Sequence, residues 1–406
     1  MIDIRWRESN YRALLLRPGM KNLAISSLLG RLAFAMTNLS LLLYVTETTG
    51  ELSIGGAAAG TSLLGSAISA SLQGRWFDRF GVSRTLLSSI ALYVPVTVLL
   101  IVLLRSHAEA WVLLSVILVQ SLVAPMMGVA SRSVLPFAAP DGPLRDALIR
   151  YWTISFEVCY AMAPAIVGVL TLGDRTAEVP FYVAAVSLAV TSAAYAASPI
   201  VRAQVPRSPT SPAQAARRSS GGGVATLTIA ALAFGAGVGF VVITVTAIAK
   251  SLGNPEIVGL PFSLMTISSV AAGFWFSHHE PSLPRHLQLA ALIAVCAVAL
   301  LIPTFLTGAS MTEIIVCCIV AGFSFAPQLI LQSTILEEIC APERVGATFG
   351  WLTTAVTVGN AAGQTLGGAL SQWFTPGVAA GTGVVILASM ALIVSLSGRT
   401  FKPAHQ

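Results

Sequence analysis

The sequence predicts an all-α membrane protein whose helices form two similar bundles of six, with both chain termini in the cytoplasm. Long apolar runs recur along the whole chain, basic residues collect in alternate connecting segments, and short pieces of the first half return in the second half at a nearly constant spacing. The runs predict the helices, the charges predict their orientation, and the returning pieces predict a duplication.

The composition excludes an ordinary soluble fold. Of 406 residues, 55% are hydrophobic and 10% are charged, and the mean hydropathy is +0.81, whereas soluble domains carry about 25% charged residues. The apolar runs are long enough to cross a hydrocarbon core as helices, which pair their own backbone groups. Lys and Arg lie between these runs and form no basic face, so we expect the lipid bilayer, and not nucleic acid, as the partner.

Apolar runs bounded by charges, Gly or Pro predict six spans in each half of the chain. The expected spans are 22–46, 52–73, 85–105, 110–132, 147–172, 179–199, 224–249, 256–277, 287–307, 312–336, 345–373 and 377–397. Residues 201–223 are rich in Pro, Ser, Gly and Arg and predict a solvated cytoplasmic linker. The sequence therefore predicts an N-terminal bundle, 1–200, and a C-terminal bundle, 224–406.

Basic residues indicate the orientation, because positively charged loops stay in the cytoplasm. With the N-terminus inside, the outer segments carry only Arg105, Arg175 and Lys250, and Arg31 lies within a span. This distribution predicts an even number of spans. Arg outnumbers Lys and Ala is abundant, which is typical of high-GC bacteria, so we expect a multi-pass protein of the bacterial inner membrane.

The two halves share short sequence pieces. Leu32-Ala33-Phe34 returns as Leu232-Ala233-Phe234 at an offset of 200, and Ala124-Pro125 returns as Ala326-Pro327 at an offset of 202. Nearly equal offsets indicate a duplicated bundle. Duplicated bundles are typical of transporters, whose site lies near the middle of the membrane.

The segment after span two reads Gly74-Arg75-Trp76-Phe77-Asp78-Arg79-Phe80-Gly81-Val82-Ser83-Arg84. It resembles the signature loop between spans two and three of the major facilitator superfamily, except that two uncharged residues follow the second glycine. We expect both glycines to allow a tight reversal. The resemblance implies the fold of that family over essentially the whole chain, and transport of a small molecule.

The resemblance also implies a conformational latch. In the family the loop carboxylate contacts the start of span eleven and holds the outward-open state, so Asp78 is expected at the N-terminus of that helix. Arg79, Arg84 and Arg132 are expected to take part. The alternative is a positively charged loop that only fixes topology.

Span five carries Ala163-Pro164-Ala165-Ile166-Val167-Gly168, which is similar to the Gly-Pro-x-x-Gly-Gly stretch of the family's efflux antiporters. Pro164 and Gly168 match that stretch, whereas Ala163 and Val167 replace glycines. Proline removes a backbone hydrogen bond, and small neighbours let another helix approach. An antiporter motif and ordinary helix packing both remain open.

Arg31 and Glu157 are charges within spans, which are costly unless they face a partner or water. Each lies nine residues beyond the expected start of its span, so similar depths are predicted for the two side chains. We hypothesise an ion pair, with Glu157 able to take up a proton. A fixed structural pair is the alternative.

Several amides within spans are candidates for lining a substrate cavity, and the best are Asn38, Gln120 and Gln328. Such amides more often bond between helices. No arrangement of histidine, cysteine and carboxylate suggests catalysis or a metal site, and no phosphate-binding GxxxxGK[ST] motif is present in the sequence. We therefore expect a protein that is not an enzyme, a monomer, without a cofactor and with the proton gradient as its energy source.

Together these features favour secondary active transport by alternating access, with proton-coupled efflux of an amphipathic compound or drug as the first hypothesis. A sugar or nutrient uptake symporter is the alternative within transport, and it would need a cavity rich in hydrogen-bonding side chains. A membrane sensor that keeps the same fold without transporting is the alternative from another class.

Overall fold

The computed structural model describes residues 19–138, 143–171, 177–203, 222–253, 258–278, 283–305, 310–339 and 342–398. Within these ranges the chain forms α-helices joined by short turns, and no strand occurs among them.

Fourteen α-helices follow one another along the described ranges. They are α1 Met20–Thr49, α2 Leu52–Phe80, α3 Val82–Arg105, α4 Ala110–Val123, α5 Met127–Ala138, α6 Pro143–Thr171, α7 Glu178–Ala197, α8 Pro199–Arg202, α9 Gly222–Ser251, α10 Gly259–His278, α11 Arg285–Phe305, α12 Met311–Ile339, α13 Pro342–Trp373 and α14 Pro376–Leu396. All twelve predicted spans correspond to helices of this set, with α4 and α5 together forming span four.

Ten helices in the described part of the chain are long and apolar enough to cross a membrane, when α4 and α5 are counted as one span. The other two predicted spans, five and eleven, correspond to α6 and α13, which have 29 and 32 residues. Both exceed the length of about 20 residues that a hydrocarbon core requires. The fold is therefore that of a multi-pass helical protein.

The signature segment is mostly helical, which corrects the expectation of a loop. Helix α2 continues to Phe80 and α3 begins at Val82, so Gly81 alone reverses the chain, with φ of +84°. Only glycine adopts such a φ without strain. Gly74 lies inside α2, where a Cβ atom would meet Val129 at an ordinary 3.7 Å, so the prediction that Gly74 contributes to the reversal is wrong.

Span four is broken, not merely kinked, at the proline that the sequence shares with span ten. Helix α4 ends at Val123 and α5 begins at Met127. Ala124 has φ −57° and ψ 134°, the extended conformation that a following proline imposes. Pro327 of span ten lies inside the continuous helix α12.

The described helices belong to two compact units. One unit is built from described residues of Met1–Leu41 and Gly65–Pro209, and the other from those of Leu42–Leu64 and Thr210–Gln406. The end of α1 and the first half of α2 therefore belong to the second unit. The domain boundaries predicted from the sequence remain a prediction, because 204–221 of the expected linker lie outside the described residues.

The first unit has a core of large side chains that are almost completely buried. They include Phe77, Leu86, Tyr93, Met127 and Tyr195, each no more than 1% exposed. Such a core fixes the relative positions of the helices that carry polar groups, because closely packed interiors do not deform easily.

In the second unit, glycines bring α9 and α13 into direct backbone contact. A Cβ atom on Gly235 or Gly239 of α9 would overlap the backbone of α13, and one on Gly359 or Gly363 would overlap the backbone of α9. The spacing of four within each pair is the small-residue pattern of closely packed membrane helices. Large side chains are excluded from this contact.

Candidate functional site

Arg31 is a buried cation in the middle of α1, and only 2% of it is exposed. Its Nε donates to the Ser27 carbonyl oxygen at 3.1 Å, one turn earlier in the same helix. Its Nη2 donates to Ser155 Oγ of α6 at 2.7 Å. The guanidinium therefore joins α1 to α6 through charge-assisted hydrogen bonds.

Two further contacts surround Arg31. Cys159 Sγ of α6 donates to the Leu28 carbonyl oxygen at 3.3 Å, and the Arg31 charge acts on both Cys159 and Tyr195. Gly30, the residue before Arg31, packs against Met127 of α5, where a Cβ atom would lie 2.9 Å from the Met127 side chain. The first unit thus holds a buried cluster of one cation, hydroxyls and a thiol.

Helices α1 and α6 are neighbours at the height of Arg31, as the sequence led us to expect. Glu157 lies on α6 between Ser155 and Cys159, the two residues that contact α1. The Glu157 side chain lies outside the described residues. The Arg31 to Glu157 ion pair therefore remains a prediction.

The signature segment presents its charges to the outside of the first unit. Asp78, Arg79 and Arg84 are all exposed, and the Arg79 guanidinium lies 5.1 Å from the centre of the Phe80 ring. Ser83 Oγ donates to the Ala196 carbonyl oxygen at 2.9 Å, which fixes the start of α3 against α7.

The latch predicted for this segment is not tested by these contacts. Arg132 of α5 is exposed and makes interactions of its own. The first side chains of α13, 342–350, lie outside the described part of the structure. The partner that the resemblance implies for Asp78 remains a prediction.

The span-five motif lies within one continuous helix. Pro164 is inside α6, and Gly168 is buried with its carbonyl oxygen accepting from Thr171 Oγ1 at 2.8 Å. These contacts are compatible with an antiporter motif and with ordinary packing.

The three amides proposed for a cavity occupy different environments. Asn38 is half-buried and has a partner. Gln120 is 1% exposed and faces α3, where its Nε2 lies 3.5 Å from Thr97 Oγ1. Gln328 is fully buried, and neither polar atom of its amide has a hydrogen-bond partner in the described part of the chain. Gln120 therefore contacts a hydroxyl of α3, and Gln328 is a buried polar group without compensation among the described residues. A cavity role for either amide remains a prediction.

The break in span four has a set of partners that the sequence interpretation missed. Gln73 and Ser69 of α2 bind the backbone on both sides of Pro125 through three hydrogen bonds, and a fourth joins the two side chains to each other. Gln73 is fully buried. The sequence signal for this arrangement is a glutamine within a span, four residues after a serine.

A second set of contacts that the sequence did not predict lies within the second unit, around the turn between α1 and α2. Lys250 Nζ donates to the Gly50 carbonyl oxygen at 2.8 Å, and the Ser53 backbone N–H donates to Gln372 Oε1 at 2.8 Å. Gly56 and Gly368 pack backbone to backbone, with a Cβ on Gly368 only 3.3 Å from the Gly56 Cα. The start of α2 is thereby fixed to the ends of α9 and α13.

Comparisons with known proteins give the same architecture. No family model and no curated protein matches the sequence. Crystal structures do match: the nucleoside transporter NupG at TM-score 0.67 and 17% identity over 95% of this chain and 99% of that one, and the peptide transporter POT in complex with sulfate at TM-score 0.67 and 14% identity over 95% and 96%.

A bacterial homolog of the human lysosomal transporter Spinster, in an inward-facing and unoccupied conformation, matches at TM-score 0.66 and 16% identity over 95% of this chain and 98% of that one. All three are transporters of the major facilitator fold. At these identities the likeness establishes the fold. The chain has the fold of the major facilitator superfamily, two pseudo-symmetric bundles of six helices.

Proposed function

We propose that this chain is a secondary active transporter that moves a small solute across the bilayer by alternating access, and that it couples efflux of an amphipathic compound to the proton gradient. The observation that carries the proposal is the likeness of nearly the whole chain to nearly the whole of several transporters. We place it as a monomer in the inner membrane of a bacterium and assign it no covalent chemistry and no cofactor.

The cluster around Arg31 supports proton coupling. A buried arginine on α1 donates to Ser155, two positions before Glu157, and Cys159, two positions after it, donates to the Leu28 carbonyl oxygen of α1. An arginine beside a carboxyl group lowers its pKa while burial raises it, so small movements of the two helices change the affinity for a proton. Coupling by this route needs no residue of the second unit.

The choice of an amphipathic compound rests on two features. The Pro164 to Gly168 stretch is similar to the motif of efflux antiporters, and of the cavity candidates Gln120 contacts a hydroxyl of α3. A site for a sugar needs many hydrogen-bonding side chains. The neighbours named above carry nucleosides and peptides, so a polar solute taken up by symport is the alternative.

The test is substrate-dependent pH change in proteoliposomes, measured with an internal pH dye for a panel of amphipathic cations, nucleosides, dipeptides and sugars. We expect alkalinisation or acidification with one class only, and a loss of at least tenfold in Glu157→Gln. Tenfold corresponds to about 1.4 kcal/mol in the transport barrier.

The matched control is Glu109→Gln, because Glu109 is exposed at the start of α4 and its side chain caps no backbone group. It should leave the rate unchanged. Unchanged coupling in Glu157→Gln would exclude the proposed route, and no response to any compound would favour the non-transporting sensor.

A further inference from the structure

The break in span four exposes backbone groups within an apolar segment. Pro125 has no N–H, and α4 stops two residues before it. In the hydrocarbon region every freed carbonyl and N–H needs a partner inside the protein. The partners come from one helix, α2.

Two side chains of α2 replace the missing helical bond. In a continuous helix the Met126 N–H would donate to the Leu122 carbonyl oxygen. Here the Met126 N–H donates to Gln73 Oε1 at 3.1 Å, and the Leu122 carbonyl oxygen accepts from Ser69 Oγ at 2.7 Å.

The nitrogen of the Gln73 amide forms the remaining two hydrogen bonds. Its Nε2 donates to the Ala124 carbonyl oxygen at 2.7 Å and to Ser69 Oγ at 2.9 Å. The amide is fully buried and uses its acceptor and its donors together. Gln73 therefore supplies hydrogen-bond partners to backbone groups on both sides of Pro125.

The second unit has the same helices without the break. Ser269 and Gly273 match Ser69 and Gln73 at an offset of 200, and Ala326-Pro327 matches Ala124-Pro125 at an offset of 202. The Ala326 N–H donates to Ser269 Oγ at 3.1 Å, and α12 continues through Pro327. Proline alone does not require a break, so the open form of span four depends on Gln73.

Gln73 also connects two functional segments. It directly precedes Gly74, where the signature segment begins, and it fixes the start of α5, which carries Arg132. A change in the direction of α5 is therefore transmitted to the end of α2 that carries Asp78. A movement of that end of α2 is likewise transmitted to α5.

We propose that residues 124–126 form a hinge in span four, and that Gln73 is the positioning residue that keeps this hinge open inside the bilayer. The hinge lets α5 change its angle to α4 while the backbone stays hydrogen-bonded. This inference rests on the proposed transport function, because alternating access requires spans that change conformation.

The first experiment measures the distance between spin labels on Ser115→Cys of α4 and Ser133→Cys of α5, in a background without the native cysteines. Both serine hydroxyls bond only within their own helix. A continuous helix would place the two Cα atoms about 27 Å apart at 1.5 Å per residue. We expect Gln73→Leu and Pro125→Ala each to shift the distance distribution towards that value.

The double variant Gln73→Leu/Pro125→Ala should shift no further than Pro125→Ala alone, because a continuous helix has no break to compensate. An unchanged distribution in Gln73→Leu would overturn the proposal. This measurement needs no substrate, so it tests the hinge even if the transport proposal fails.

The second experiment measures transport in proteoliposomes. Gln73→Leu and Pro125→Ala should each lower the rate at least tenfold, although Pro125→Ala should raise thermal stability. Gln332→Leu is the matched control, because Gln332 is a buried glutamine of span ten whose Nε2 has no hydrogen-bond partner among the described residues. It should stay within twofold of the unsubstituted protein.

Full transport by Pro125→Ala would overturn the hinge. If the spin-label distances shift but the protein transports none of the tested compounds, the hinge proposal stands and the proposed transport function is excluded.

Discussion

Helices α1 and α6 of the first unit and helices α9 and α13 of the second are matching pairs that pack by different means. At an offset of 200, Arg31 and Cys159 of the first pair correspond to Ala231 and Gly359 of the second. Cys159 donates to the Leu28 carbonyl oxygen of α1, and Gly359 packs against the Leu232 carbonyl oxygen of α9. One copy uses a thiol and a guanidinium where the other uses backbone alone.

The two helix pairs differ in the chemical groups that meet at their contacts. A contact between glycine backbones leaves no room for a polar side chain, and it has no group that can gain or lose a proton. The pair α1 and α6 has kept space for a buried cation and its partners. The second unit therefore joins its helix pair through backbone, whereas the first unit joins its pair through buried polar side chains.

The largest expected effect is on the glycine contact. Gly359→Ala would place a Cβ atom against the Leu232 carbonyl oxygen. Because backbone must move to relieve this, we expect a loss of about 3 kcal/mol in the free energy of unfolding, measured as thermal unfolding of the purified protein by tryptophan fluorescence.

Gly128→Ala is the same chemical change where a Cβ atom meets nothing within 4 Å. As a helical glycine, it should gain up to about 1 kcal/mol on substitution. Equal effects of the two substitutions would show that α9 and α13 are further apart than described here.

The next effect concerns the cation. Arg31→Met should lower the transport rate at least tenfold, about 1.4 kcal/mol in the barrier, because Ser155 loses its bond and α6 loses a neighbouring charge. Arg31→Lys keeps the charge without the planar donors and should retain part of the rate.

The readout that separates coupling from packing is the pH dependence of transport. A coupling role predicts that the pH profile flattens in Arg31→Met and shifts in Arg31→Lys. A profile of unchanged shape, with only a lower melting temperature, would assign Arg31 to packing.

A smaller effect tests why the second unit has no glutamine beside its proline. Gly273→Gln would bring a Cβ atom to 2.8 Å from the Ala326 Cβ. We expect a loss of about 1 to 2 kcal/mol in unfolding free energy, because overpacking forces helices apart. A stability gain in thermal unfolding would mean that span ten can open like span four.

The smallest effect is a gain. Gln328→Leu removes a buried amide whose polar atoms have no hydrogen-bond partner within the described ranges, so we expect the free energy of unfolding to rise by about 1 kcal/mol. The measurement is again the melting temperature, with transport assayed in parallel. A fall in transport would show that Gln328 meets the solute in another state.

The sequence predicted the spans well, since apolar length and flanking charge are local properties. It could not predict that Gln73 compensates the break, since the bonded groups are about fifty residues apart in the chain and meet only when α2 lies beside α4. Gly74 was misjudged because the family pattern marks a loop where this chain continues a helix.

The amides illustrate the same limit. Gln120 and Gln328 look alike in sequence, each within an apolar span. The first faces Thr97 and the second faces no described hydrogen-bonding group. Which side of a helix meets a polar neighbour depends on packing across the bundle, and a single apolar span carries no period that reveals it.

Cys159 gives the molecule a native reporter. Of the described thiols, Cys159 is in the first unit and the others, Cys296, Cys317 and Cys318, are in the second. Its sulfur is covered by the Leu28 carbonyl oxygen, so a maleimide reaches it only when α1 and α6 separate. The labelling rate of Cys159, separated from that of the other four cysteines by peptide mass spectrometry, would therefore record how often α1 and α6 separate, with solute or pH as the variable and no engineered probe.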